Sequence, residues 1–205
     1  MARDATRTRS RLLRAGEQRF ARDGVSGARM SDVVRDAGQA NDSAVGYHFG
    51  SRQGLLEAIV AKHLTAMDER RTVPPRDAST RALVDAIVVP TADLLATDEG
   101  RDFLRIMEQL ADWSGLASGE PAKPLQGTVI GTQLEALTRR LGERIGMPLS
   151  RERVGLLVIF LTGALAARAR SVEQGSRQRM AHERFVDHLV DVLTGGLTAQ
   201  PRNKA

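Results

Sequence analysis

The 205-residue sequence contains no cysteine. This absence excludes a disulfide framework, a cysteine-ligated zinc and a cysteine nucleophile, and it fits a reducing cytoplasm. The N-terminus lacks the apolar run of a secretory signal. The most apolar segment, residues 154–167, is shorter than the ~20 residues that span a bilayer. We therefore expect a soluble, cytoplasmic protein with no membrane partner.

Motifs for catalysis and for metal binding are also missing. No glycine-rich phosphate loop follows a strand pattern, and no serine stands in a nucleophile elbow. The pair Glu108 and Asp112 has helical spacing, which is typical of a solvated face. The histidines form no ligand pair with a third partner, and they are His48, His63, His182 and His188. These absences predict a protein that is not an enzyme and that holds no metal or cofactor.

Apolar residues recur at helical spacing throughout the chain, and no alternating strand pattern persists. The sequence thus predicts an all-α fold of nine or ten helices, with an N-terminal three-helix head and a larger helical body. We predict a helix-turn-helix head over residues 1–55, an effector-binding and dimerisation body over 56–197 and a polar tail over 198–205. The clearest break falls at residues 72–76, a further bend is expected at Pro90, and Gly195 and Gly196 are expected to end the last helix.

Positive charge is concentrated in the head. The formal net charge is +5, and residues 1–52 contain ten arginines against six acidic residues, a surplus of four. A basic surface attracts nucleic acid through its phosphates. A solvated basic face with no partner is the plainer alternative for Arg7, Arg9 and Arg11.

Residues 31–56 carry the most informative pattern. Ser31 is a candidate N-cap for a short helix that ends at Gly38. A second short helix is expected to start near Asn41 and to run to about His48. Two short helices joined by a glycine turn are typical of a helix-turn-helix, in which the second helix enters the major groove.

This pattern resembles the head of the TetR family of transcriptional regulators. The resemblance rests on the segments 20–24 (FARDG), 36–38 (DAG) and 47–56 (YHFGSRQGLL). The segment from Asn41 to Arg52, with the form NxSAVxYHFGSR, is similar to a variant of the family pattern. It departs from the commonest form by one extra turn residue at Gln39 and Ala40, and by Gly46 in place of an aromatic residue.

The resemblance implies a set of DNA-contacting residues at the recognition helix and around it. Asn41 is expected to read an adenine edge, and Arg52 is expected to hold a phosphate. Val45 and Phe49 should face the core of the head. Tyr47 and His48 are expected to touch phosphate or sugar, with plain surface residues as the alternative. The complete predicted set is Arg29, Ser31, Asn41, Asp42, Ser43, Ala44, Gly46, Tyr47, His48 and Arg52.

The body is expected to provide a dimer interface and an effector pocket. The segment 154–165 is apolar on more than one face, so it must be buried nearly all round. The predicted interface comprises Leu156, Phe160, Leu165, Phe185, Leu189 and Val192. The predicted pocket comprises Met67, Phe103, Met107, Leu110, Trp113, Val129, Gln133 and Phe160. Each group has a plainer alternative, which is packing inside one subunit.

Together these features predict a homodimeric repressor that binds double-stranded DNA at a palindromic operator and is released by a small-molecule effector. The alternative is a small-molecule-binding helical module without specific DNA recognition.

Overall fold

The computed structural model describes residues 2–41, 43–110 and 125–200. Within these ranges the chain forms nine α-helices and one 3-10 turn, with no strand, so the all-α prediction is confirmed. The helices are α1 Ala2–Asp23, α2 Met30–Asp36, α3 Ala44–Phe49, α4 Arg52–Asp68, α5 Thr80–Ala92, α6 Asp98–Gln109, α7 Val129–Ile145, α8 Met147–Glu173 and α9 His182–Thr198. The 3-10 turn is Asp93–Ala96.

Helices α1 to α3 and the start of α4 form the head. Phe20, Val33, Val45 and Leu55 meet in its core and are almost completely buried. The turn after α2 passes through Gly38 at a φ of 67°, a left-handed conformation that glycine adopts without steric cost. This turn sets α3 across α2 and leaves the outer face of α3 exposed.

Helix α4 joins the head to the body without a break in the core. The hydrophobic cluster of the head continues along α4 to Met67 and includes Phe103 and Ile106 of α6. The side-chain oxygen of Gln109 on α6 accepts a hydrogen bond of 2.7 Å from the backbone N–H of Val25. The head is therefore packed on α6, and the predicted boundary at residue 55 lies inside this shared core.

A second cluster forms the interior of the body. It is built from α5, α7, α8 and α9, and its most buried members include Val84, Val88, Leu137, Val154 and Leu165. Helix α8, with 27 residues, crosses the whole body and packs on α6, α7 and α9. Helix α8 is also long and apolar enough to cross a membrane by length and composition, and 44% of its most apolar window is buried in the protein. One such helix is weak evidence for a membrane span, because core helices pass the same test.

Two predicted helix ends are wrong. Ser31 does not cap α2, because the helix already begins at Met30 and Arg29 occupies the cap position without a side-chain bond. Ser31 lies exposed in the first turn instead. Helix α9 does not end at Gly195 and Gly196 but runs to Thr198. Leu197 is buried in the body core, and this packing holds the last turn despite the low helix propensity of glycine.

The proline predicted to bend the fifth helix lies inside it. Helix α5 continues past Pro90 to Ala92 and then tightens into the 3-10 turn. A proline has no N–H, so it cannot bond the carbonyl four residues before it. Here that carbonyl, on Ala86, accepts a hydrogen bond of 3.0 Å from the guanidinium of Arg71. A tertiary contact thus replaces the missing helical bond.

Candidate nucleic-acid interface

Helix α3 presents one face to the core of the head and the other to solvent. Val45 is 4% exposed and Phe49 packs on the head cluster. On the outer face Tyr47 is 83% exposed, and its ring meets the ring of His48 edge-on at 4.9 Å. Gly46 is exposed as well, with no atom near its Cα that a methyl group would strike. Gly46 and Tyr47 of the predicted contact set therefore project from a short, anchored helix, whereas Ala44 is half-buried against the head cluster.

The start of α3 is set by Asn41. Its side-chain oxygen accepts hydrogen bonds from the backbone N–H of Ser43 at 2.9 Å and from the Ser43 hydroxyl at 2.7 Å. This local turn is the usual way in which asparagine opens a helix. Asn41 and Ser43 are both exposed, while Asp42 lies outside the described residues. Base reading by Asn41 remains a prediction.

Three residues of the segment after α3 are required by the local backbone geometry. Gly50 ends α3 with a φ of 75°, the left-handed region that favours glycine. The Ser51 hydroxyl oxygen caps α4 by accepting a 3.0 Å bond from the N–H of Gly54. A Cβ on Gly54 would lie 2.0 Å from the carbonyl oxygen of Phe49. The glycines and the serine hold α3 and α4 at a fixed angle.

Arg52 binds the protein itself. Its Nη1 donates to the carbonyls of Val25 and Ser26, each at 2.9 Å, and its Nη2 donates to the carbonyl of Ala28. These bonds tie the start of α4 to the loop between α1 and α2. Sequence reasoning missed this positioning role because the partners are backbone atoms more than 20 residues away. The predicted phosphate contact remains a prediction.

A small cavity of about 100 Å³ lies between the two hydrophobic clusters. Its wall includes Met67, Phe103, Met107 and Leu110, four of the predicted pocket residues. Gln133 lies behind the wall and hydrogen bonds to Arg71. Val129 is not among the lining residues, and Trp113 lies outside the described residues. Sequence reasoning missed Arg71, whose place in the wall depends on tertiary folding.

The outer faces of α8 and α9 carry an apolar surface, defined here by Leu156, Ile159, Phe160 and Val192, which are 45–61% exposed. Phe160, predicted for both the pocket and the interface, therefore belongs to this surface and does not line the cavity. Leu165 is fully buried in the subunit core, so its assignment to the interface is corrected. Leu189 lines the groove beside the surface, and Phe185 is half-buried beneath Arg168.

No family model matches the chain. A curated relative, the HTH-type transcriptional regulator SrpR of Pseudomonas putida, is 29% identical over 116 residues, which cover 56% of this chain. The match spans 53% of SrpR, so the chain spans about half the length of that relative.

Solved structures match along almost the whole chain. A protein described as a TetR-family regulator from Shewanella sp. PV-4 has a TM-score of 0.56 at 17% identity, with 92% of this chain and 96% of that one covered. NalD, the secondary repressor of the MexAB-OprM multidrug efflux pump in Pseudomonas aeruginosa, has a TM-score of 0.54 at 20% identity, with 95% and 97% covered. The chain has the TetR-like fold.

Ion pairs neutralise most of the acidic residues in the TetR-like head. Arg19 on α1 bonds Asp36 of α2 at 2.6 Å and Asp23 at 3.1 Å. The hydrogen bond from Arg19 lowers the pKa of the Asp36 carboxyl. Because these acids are paired, the charge left uncompensated is mainly that of exposed arginines. Those that the structure describes include Arg9, Arg11 and Arg29.

Proposed function

We propose that this protein is a sequence-specific DNA-binding transcriptional regulator of the cytoplasm. The observation that carries the proposal is helix α3, which exposes Tyr47 while Val45 anchors its inner face. A recognition helix has to be held rigidly, because base contacts require a fixed depth and angle in the groove. The cap at Ser51 and the bonds from Arg52 provide that rigidity. The fold and the partial match to SrpR support the same reading.

The regulator acts as a homodimer on a palindromic operator. Leu156, Phe160 and Val192 of the apolar surface of α8 and α9 line one groove, and exposed apolar areas of this kind mark protein–protein contacts. A two-fold axis through it would pair the surface with itself. The two recognition helices would then dock in successive major grooves, ~34–36 Å apart.

We propose further that the regulator is a repressor and that a small molecule bound in the body releases it from the operator. The cavity supports this step, because Phe103 lines it and stacks on His63, which contacts Glu17 of α1. A ligand that favours one arrangement of this path shifts the position of the head. Coupling of this kind typically changes DNA affinity by ~5- to 150-fold.

Selection of DNA fragments from random sequence by the full-length chain tests the proposal. We expect enrichment of an inverted repeat at physiological salt. Competitor DNA is added to suppress the non-specific binding that phosphate contacts alone provide. Enrichment of no sequence would contradict it. If the chain still bound a small molecule in that case, the ligand-binding module without specific DNA recognition would be the better account.

A further inference from the structure

Arg71 is a buried cation in the wall of the cavity. The residue comes shortly after α4 in the chain, and its side chain lines the cavity together with Thr91, Leu94 and Leu134. Only 6% of the residue is exposed. The wall that the described residues form is apolar apart from Arg71, Thr91 and Thr162. The guanidinium thus borders a space that is otherwise suited to a hydrocarbon.

The partners of Arg71 are all uncharged. Its Nη1 donates to the carbonyls of Ala86 and Ile87 and, at 3.0 Å, to the side-chain oxygen of Gln133. Its Nη2 donates to the Thr91 hydroxyl at 2.6 Å. Its Nε is buried without a hydrogen-bond partner. In the part of the chain that the structure describes, no carboxylate lies within ion-pair distance of Arg71.

Asp68 is the acidic side chain that attracts Arg71 at longer range. One of its oxygens accepts a 3.0 Å bond from the N–H of Val129 at the start of α7, and its other oxygen is buried without a hydrogen-bond partner. Burial lowers the pKa of Arg71 to about 10, and the guanidinium remains a cation at neutral pH. Among the described residues, this positive charge beside the cavity therefore has no directly bonded counter-charge.

Repair of the helix at Pro90 does not require that charge. The Ala86 carbonyl needs only a hydrogen-bond donor, and a neutral amide would provide one without the cost of burying an ion. The unbonded Nε–H is likewise unexplained by packing. Both features are accounted for by a negatively charged group placed in the cavity, because a carboxylate pairs with a guanidinium through two parallel hydrogen bonds.

We propose that the cavity binds a compact apolar carboxylate, with the carboxylate group on Arg71 and the hydrocarbon among Val60, Phe103 and Leu134. This proposal rests on the assignment of the cavity as the effector site. The volume of about 100 Å³ limits the size, since it is smaller than the apolar cavity of about 150 Å³ that accepts benzene. The class is therefore short branched aliphatic acids. The Thr162 hydroxyl already donates its hydrogen bond to the Val158 carbonyl. Arg71 therefore remains the charged donor of this wall.

Calorimetric titration of the full-length chain, in the absence of DNA, tests the ligand class. The probe is 3-methylbutanoate, with 3-methylbutanamide and 3-methylbutanol as neutral counterparts of matched shape. We expect the acid to bind at least tenfold more tightly than either neutral counterpart. Equal or tighter binding of the neutral compounds would overturn the proposal, and so would the absence of saturable binding by the acid.

Two variants assign the preference to the guanidinium. Arg71→Gln keeps a donor for the Ala86 carbonyl but removes the charge. We expect the association constants of the acid and the amide to differ by no more than about threefold in this variant. Thr162→Val changes another polar residue of the same wall and should keep the wild-type ratio. An unchanged ratio in Arg71→Gln would overturn the role of Arg71. If that variant does not fold, the wild-type ligand pairs still decide.

Because the titration contains no DNA, its outcome is separate from that of the DNA selection. A carboxylate preference without an enriched DNA sequence would sustain the ligand class and refute the regulator. An enriched inverted repeat without a carboxylate preference would support the regulator and refute the ligand class.

Discussion

The imidazole of His63 lies parallel to the ring of Phe103, with the two centroids 4.0 Å apart. Phe103 lines the cavity, and the Nε2 of His63 contacts the buried carboxylate of Glu17 on α1. Arg14, one turn before Glu17, also bonds Asp102 of α6 at 2.9 Å. A continuous series of buried contacts therefore runs from the cavity to the helix that supports the head.

Removing the aromatic stack should separate ligand binding from DNA release. Phe103→Leu keeps an apolar side chain but removes the ring that rests on His63. We expect the variant to bind operator, while the loss of operator affinity at saturating ligand falls to within about twofold, against the ~5- to 150-fold typical of coupled sites. Fluorescence anisotropy with labelled operator, with and without ligand, measures the change.

Phe185→Leu is the matched control, because Phe185 is a half-buried ring of α9 that lines no part of the cavity. It should respond to ligand as the wild type does. A full wild-type response in Phe103→Leu would refute the proposed path.

Arg52 is expected to act on the stability of the head as well as on DNA binding. Arg52→Ala leaves the carbonyls of Val25, Ser26 and Ala28 without their donor, which should cost about 1–3 kcal/mol in the free energy of unfolding. Affinity for all DNA sequences should fall together, because the predicted phosphate contact of Arg52 carries no sequence information. Urea denaturation and binding to two unrelated duplexes measure both effects.

Arg29→Ala is the comparison for a purely electrostatic role, since Arg29 is exposed and its side chain caps nothing. Its stability should stay within about 0.5 kcal/mol of the wild type. If Arg29 neutralises one phosphate, the slope of the logarithm of the DNA-binding constant against the logarithm of the salt concentration should become shallower by about 0.9 in the variant. Arg52→Ala with wild-type stability would show that the carbonyl bonds do not hold the head.

The ion pair of Arg19 with Asp36 predicts a dependence of stability on pH. The pKa of Asp36 is lower in the folded chain than its ordinary value of 3.8, so the folded chain binds fewer protons than the unfolded chain. Stability from this pair is therefore present at neutral pH and lost as the pH falls below about 4 and through the folded pKa. Arg19→Gln should be less stable than the wild type at neutral pH, and the gap should shrink on acidification.

Arg11→Gln controls for the loss of an arginine on the same helix, because Arg11 is exposed. Its difference from the wild type should be small and flat with pH. Urea denaturation at a series of pH values gives both curves. A gap for Arg19→Gln that stays constant down to acidic pH would contradict the assignment.

The exposed apolar surface of α8 and α9 should control oligomeric state. Phe160 is 61% exposed in the isolated subunit, so Phe160→Asp should leave the subunit folded but place a charge in the dimer contact. We expect sedimentation equilibrium to show a monomer for this variant and a dimer for the wild type. Val73→Asp alters another exposed apolar residue, outside the helices, and should remain dimeric. A dimeric Phe160→Asp would move the interface elsewhere.

The sequence was informative where structure is decided locally. Gly38, Gly50 and Ser51 act within one turn of the chain, through backbone conformation or a cap. Their spacing therefore predicted the helix-turn-helix head. The periodicity of apolar residues predicted the all-α body for the same reason.

The rest depends on contacts between distant segments. Arg71 meets Ala86 and Gln133, 15 and 62 residues away, and nothing in the local pattern around Arg71 marks it as buried. Helix α8 is apolar on several faces, so the sequence does not show which face meets the core. Leu165 and Leu156 are chemically alike, yet one is buried in the subunit and the other is exposed.

The central claim is that two copies of α3 read duplex DNA side by side. Hydroxyl-radical footprinting of the wild type on its selected sequence, with Tyr47→Ala as control, tests this most directly. We predict two protected half-sites on one face of the DNA, ~34–36 Å apart, and loss of both in Tyr47→Ala, whose stability should be unchanged because Tyr47 is so exposed. Protection of a single site, protection without sequence preference, or a wild-type footprint from Tyr47→Ala would contradict the account.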